Sequence, residues 1–117
     1  MKGSDRFFVD GVVCRIHGTA LRVANLSVGG MFVATELPLL PLIAGQVVEL
    51  ELVLRDRPPF AALARVSWVN EPPNLKAPDL PHGAGIQITR IGMAEKLAIV
   101  DFLKRTPPDA LRDRHRV

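Results

Sequence analysis

The sequence predicts a mainly β fold, a six-stranded antiparallel barrel closed by one C-terminal helix. Three observations predict it. Apolar residues alternate with a period of two in six short segments, no helical pattern separates those segments, and one stretch near the end repeats at helical spacing. Strands joined without crossover helices pair antiparallel, because a parallel connection needs about a dozen residues or more. A lone amphipathic helix must bury its stripe somewhere, and a small sheet must hide its edges.

The elements follow in chain order. VDGVVCRI aligns Val12, Cys14 and Ile16, and ALRVA aligns Leu21 and Val23. GMFVAT is a third short strand. QVVELELVL sets Val48, Leu50, Leu52 and Leu54 opposite Glu49 and Glu51, the pattern of a strand with one wet face. FAALARVSWVN places Ala62, Ala64, Val66 and Trp68 on one face against Arg65 and Ser67, so Trp68 reads as core. AGIQITR aligns Ala84, Ile86 and Ile88. MAEKLAIVDFLKR then carries Met93, Leu97, Val100 and Leu103 as the expected buried stripe of a helix, without a Ser, Thr or Asp cap before Met93. Thr106-Pro107-Pro108 ends it, since proline cannot continue a helix. Residues 1–106 form one domain and residues 107–117 a basic tail.

Two links are long. ELPLLPLIAG (36–45) is rich in leucine, and its Leu37, Leu39, Leu40, Leu42 and Ile43 are expected to pack under the barrel rim. EPPNLKAPDLP (71–81) is punctuated by four prolines. The sequence contains neither internal repeats nor low-complexity segments.

Composition excludes several functions. With 117 residues, 48% hydrophobic and 23% charged, the chain is a single globular domain. No apolar run approaches the ~20 residues of a membrane helix, and MKGSDRFF lacks the apolar core of a signal peptide, so the expectation is a cytoplasmic protein with no membrane insertion. The single cysteine, Cys14, forms no internal disulfide and lies on an apolar face, the setting of an inert buried thiol. The formal charge of +3 resides in the stretch from Lys104 to Val117, which leaves the body neutral. With five Phe, one Trp and no Tyr, the strands offer few stacking platforms, and DNA is not an expected partner. His17, His82 and His115 have no ligand spacing, so no metal or cofactor is expected. No P-loop, nucleophile elbow or HExxH helix occurs, and the Gly-Ala-Gly of HGAGI leads into a strand rather than a helix. An enzyme is not expected.

NLSVGG, between the second and third strands, remains. Asn and Gly suit a turn, since Asn tolerates left-handed angles and Gly accepts positive φ. Ser27 is not explained that way. Asn25-x-Ser27-x-x-Gly30 resembles the second signature of PilZ domains, which reads Asp or Asn, any residue, Ser, two residues, Gly. ELEL and ARVSWVN look like the middle strands of that family, HGAGIQIT like its Gly-rich last strand, and MAEKLAIVDFL like its closing helix. The resemblance covers about residues 2–106.

That resemblance implies a barrel that binds the bacterial second messenger cyclic di-GMP and relays it to a protein partner, in some members of motility or surface-polymer machinery. It also implies two arginines spaced RxxxR before the first strand. Here the matching residues are Lys2 and Arg6, a KxxxR. The implied ligand-binding residues are therefore Lys2, Arg6, Asn25, Ser27 and Gly30. Arg suits this role because its planar fork matches guanine N7 and O6 as well as phosphate, and its flat face stacks on a base. Lys2 offers a phosphate a point charge only. Two readings follow: a one-domain cyclic di-GMP receptor, or a degenerate protein-interaction module in which NLSVGG is hairpin chemistry.

Overall fold

The computed structural model describes residues 8–35, 42–70, 79 and 81–105. Six strands and one helix follow in chain order: β1 (Val12–Ile16), β2 (Thr19–Leu26), β3 (Gly30–Ala34), β4 (Val47–Leu54), β5 (Phe60–Asn70), β6 (Gly83–Arg90) and α1 (Met93–Arg105). The strands close into an antiparallel barrel in the order β1-β2-β3-β6-β5-β4. Closure removes both sheet edges, so no row of backbone donors is left open to another chain.

Alternation decides what fills the barrel. Val48, Leu50, Leu52 and Leu54 of β4 are buried, as are Cys14 and Ile16 of β1, Met31 and Val33 of β3, and Ala84 and Ile86 of β6. Glu51 faces outward and pairs with Arg15 of β1 at 2.9 Å, where the two residues are direct cross-strand neighbours. The β1–β2 connection is tight. Ile16 pairs with Thr19, so His17 and Gly18 alone make the turn, with φ of 53° and 80°. Two positive φ values match the right-handed twist of the flanking strands.

Several sequence expectations change in the structure. Trp68 does not share the core face with Ala62, Ala64 and Val66: the β5–β6 register shifts between Val66 and Trp68, and that irregularity turns the indole to the outside of the barrel. The helix also buries a different stripe. Ala98, Ile99 and Phe102 face the barrel, while Met93 is 70% and Leu97 58% exposed. Val100 is half-buried and Leu103 packs against the core only in part. α1 carries two apolar stripes about half a turn apart, and the barrel end takes the one with Ile99 and Phe102, worth about 1.5–3 kcal/mol each when buried.

The helix starts directly after Gly92. Glu95 folds its carboxylate back against Gly92, and Lys96 N–H donates to the Gly92 carbonyl at 2.9 Å. In the first long link Leu42 is buried, but Ile43 is 70% exposed rather than packed under the rim. Leu37, Leu39 and Leu40, most of the 71–81 link and the basic tail lie outside the described residues.

The antiparallel order gathers several features at one end of the barrel. There lie the start of β1, the β2–β3 connection, the β4–β5 turn and α1. Arg57 of that turn reaches Asp101 of the helix at 2.9 Å, and Arg105 reaches the same carboxylate at 3.2 Å.

Candidate functional site

NLSVGG begins inside a strand, not in a turn. Asn25 lies in β2 just after a register shift between Val23 and Asn25, and it stands opposite Phe32. It is only 2% exposed, and its Oδ1 accepts a hydrogen bond from the Phe32 N–H at 3.1 Å. The amide thus restores a partner to a backbone donor where the bulge interrupts the ladder.

Ser27 does close the turn. Its N–H and its Oγ–H both point to the Gly30 carbonyl, at 2.8 and 3.2 Å. The residue itself is exposed. A hydroxyl has one proton, so in this state Ser27 presents lone pairs outward, and a rotation about χ1 or the O–H bond re-aims the donor. The Gly29 carbonyl accepts from Ile88 N–H at 2.9 Å, which ties the turn to β6.

The two glycines are not there for left-handed backbone. Positive φ among the described glycines is confined to Gly11, Gly18 and Gly45. A side chain at Gly29 would meet nothing within 4 Å, so the fold leaves that position bare without needing it bare.

From Asn25 a single row crosses the outer face of the barrel. Asn25 pairs with Phe32, Phe32 with Gly85, and Gly85 with Trp68. A Cβ on Gly85 would collide with the indole nitrogen of Trp68, so this glycine is what lets the ring lie across β6. The Phe32 and Trp68 ring centroids are 5.3 Å apart at 42°. Phe32 is fully buried although it points away from the core, and Trp68 is half-buried. This outer aromatic pair was missed by alternation. Its one sequence signal is Gly85, a residue without a side chain in the middle of a strand.

The N-terminal segment meets the motif strand. Val9 N–H donates to the Val23 carbonyl at 2.8 Å, two residues before Asn25. Next to it the Arg22 guanidinium lies over the Phe8 ring, 3.7 Å from carbon to centroid. Arg55 holds the following Asp10 in an ion pair at 2.6 Å, and Arg55 N–H donates to the Gly11 carbonyl at 2.8 Å. Phe8, Asp10, Val13, Arg22, Val53 and Arg55 border a groove of about 850 Å³ on this side. None of Asn25, Ser27 and Gly30 lines it, so the groove is a neighbour of the motif and not its pocket. Lys2 and Arg6 lie outside the described residues.

Titratable chemistry is sparse here. Burial pushes the Cys14 thiol up to about 12, so it stays a neutral core group. The hydrogen bond from Arg57, with the charge of Arg105 beside it, holds the Asp101 carboxyl below the usual carboxylate range. Among the described residues no group of His, Cys, Asp and Glu could hold a metal ion, and no helix is long and apolar enough to cross a membrane.

No curated protein matches this chain significantly. The family model for the PilZ domain matches residues 10–105, which takes in every strand, the NLSVGG motif and the helix, and begins after Lys2 and Arg6. With most of its length matched by that model, and folded as the six-stranded barrel with a C-terminal helix that the motif implied, the chain belongs to the PilZ domain family.

Proposed function

We propose that this protein is a cyclic di-GMP receptor that binds the nucleotide at the β2–β3 motif and passes its occupancy to a protein partner. The PilZ family is one of cyclic di-GMP-binding domains without catalytic activity, and membership supports the ligand class. One observation on this chain carries the assignment to the motif: Ser27 is exposed and Gly29 bare on a turn whose backbone angles require no glycine. Ser27 serves a phosphate oxygen, and the bare turn lets the ligand approach the backbone. Val9 N–H bonds to the Val23 carbonyl of β2, and Arg6 stands three residues before Val9 in the sequence. Its guanidinium supplies the fork-shaped donor, and Lys2 adds a point charge.

A second reading has its own support. Asn25 is buried and its Oδ1 is engaged by Phe32 N–H, a structural task that needs no ligand. On that reading the chain is a protein-interaction module that binds the nucleotide weakly or not at all.

Calorimetric titration with cyclic di-GMP separates them. The receptor reading expects saturable binding that Arg6→Ala abolishes and that Lys2→Arg strengthens. Ser27→Ala is expected to cost about 1–2 kcal/mol, the worth of one hydrogen bond to a charged acceptor. If millimolar ligand yields no heat and Lys2→Arg gains nothing, the interaction-module reading stands. The protein is further expected to leave the nucleotide intact; turnover lost with one of its own side chains would contradict this.

A further inference from the structure

We propose that Arg65 of β5 and Arg90 of β6 form a further ligand-contacting pair on the outer wall of the barrel beside the motif, where their forked N–H groups hold a phosphate of the cyclic dinucleotide. The inference rests on the receptor reading and adds to it two residues outside both signature stretches. The arginines of this barrel divide into two sets. Arg15, Arg55, Arg57 and Arg105 each hold a carboxylate, and Arg22 lies over the Phe8 ring. Among the described residues Arg65 and Arg90 are the arginines whose side chains make no ion pair or hydrogen bond, and both are exposed. Their cross-strand neighbours are Val47 and Gln87 for Arg65 and Leu63 for Arg90, none of them a carboxylate. Glu49 of β4 stands opposite Leu63 and pairs with neither arginine. A guanidinium kept exposed without a carboxylate is open to an anion from outside.

The register sets this pair beside the motif. Gly30 pairs with Gln87, and Gln87 with Arg65, so the three share one row across β3, β6 and β5. Met31, Ile86 and Ala64, their neighbours along the strands, are buried in the core, which fixes that row on the outer face. Two strand spacings, about 10 Å, separate Arg65 from the glycine that ends the motif. A cyclic dinucleotide, with two phosphates and two flat purines, covers that span. Ile88 N–H donates to the Gly29 carbonyl at 2.9 Å, so β6 runs along the motif turn, and Arg90 follows two residues later. The wall between Ser27 and the two arginines carries little bulk: Gly29 and Gly30 have no side chain, and Gln87 presents an exposed amide that both donates and accepts. Ser27 serves one phosphate from the turn, and the arginines meet the other from β5 and β6.

The test is calorimetric titration of cyclic di-GMP into the full chain and its Arg65→Ala, Arg90→Ala, Arg15→Ala and Ser27→Ala variants, with unfolding midpoints measured in parallel without ligand. Arg65→Ala and Arg90→Ala are each expected to weaken binding about tenfold or more, the loss of a charge-assisted contact, with midpoints within a few degrees of the parent. Arg15→Ala removes a charge from the opposite side of the barrel, where Arg15 bonds Glu51, and is expected to bind like the parent. Should either alanine variant of the pair unfold, Arg65→Gln and Arg90→Gln keep the stem, and the same loss is expected of them. Parent-like affinity in a folded Arg65 or Arg90 variant, with binding still weakened by Ser27→Ala, overturns the role of that arginine and leaves the receptor reading standing. Equal weakening by Arg15→Ala assigns the effect to net charge and overturns the contact. Absence of binding by the parent chain overturns both proposals.

Discussion

Cys14 lies between Val12 and Ile16 on the inner face of β1, without exposed surface, and burial pushes its thiol up to about 12 from an ordinary value of 9.0. The folded state therefore keeps a proton that the unfolded chain releases. The thiol's contribution is fully present below about pH 9 and is lost as pH rises toward 12, at about 1.4 kcal/mol per pH unit. Cys14→Val is expected to flatten stability against pH across that window by about this slope, measured by urea unfolding at a series of alkaline pH values. Equal slopes for the two proteins would mean that the thiol titrates alike in both states. The burial of Cys14 was legible from alternation. Trp68 and Asn25 were not, because each follows a register shift, and one extra residue in a strand reverses every later face.

At the scale of elements, α1 is the part whose placement rests on few contacts. Ile99 and Phe102 enter the core, and Arg57 ties the helix to the β4–β5 turn through Asp101, which also holds Arg105 one turn along. The Asp101 carboxyl is held below its ordinary value by those guanidiniums, so its contribution is present above the unfolded value of about 3.9 and is lost as pH falls through the folded one. Asp101→Asn is expected to lower the unfolding midpoint at neutral pH. The difference from the parent should shrink on acidification below about pH 4, and also in molar salt, since the pair is exposed. A difference that persists unchanged to pH 2 would assign the effect to packing rather than charge. That α1 exists was readable from spacing, while its expected proline stop at residues 106–108 lies outside the described residues. Which stripe it buries was not, because both stripes satisfy helical periodicity.

The whole molecule is a closed barrel whose end gathers the motif turn, the incoming N-terminal segment and α1. Its net charge comes from the last residues, and the described helix ends at Arg105. Deleting residues 108–117 is therefore expected to leave the unfolding midpoint within a few degrees of the full chain, read by thermal melts at equal salt. A larger drop would show that the tail docks on the body.

What the amino-acid order determined by itself is what local physics decides: six alternating segments, the absence of crossover helices, a terminal helix, and a motif recognisable by its spacing. Each depends on neighbours within a few residues. What only the tertiary structure decided depends on partners far along the chain. The register shifts that turn Trp68 outward and bury Asn25 put an extra residue into β5 and β2, and they are defined only by the pairing with β6 and β3. Gly85 acquires its meaning from an indole 17 residues earlier in the chain, whose ring occupies the space that a Cβ would fill. Arg22 reads as one more surface charge until closure of the barrel sets it beside Phe8 and the groove. Packing between distant segments, rather than propensity along one, is the physical reason for that division.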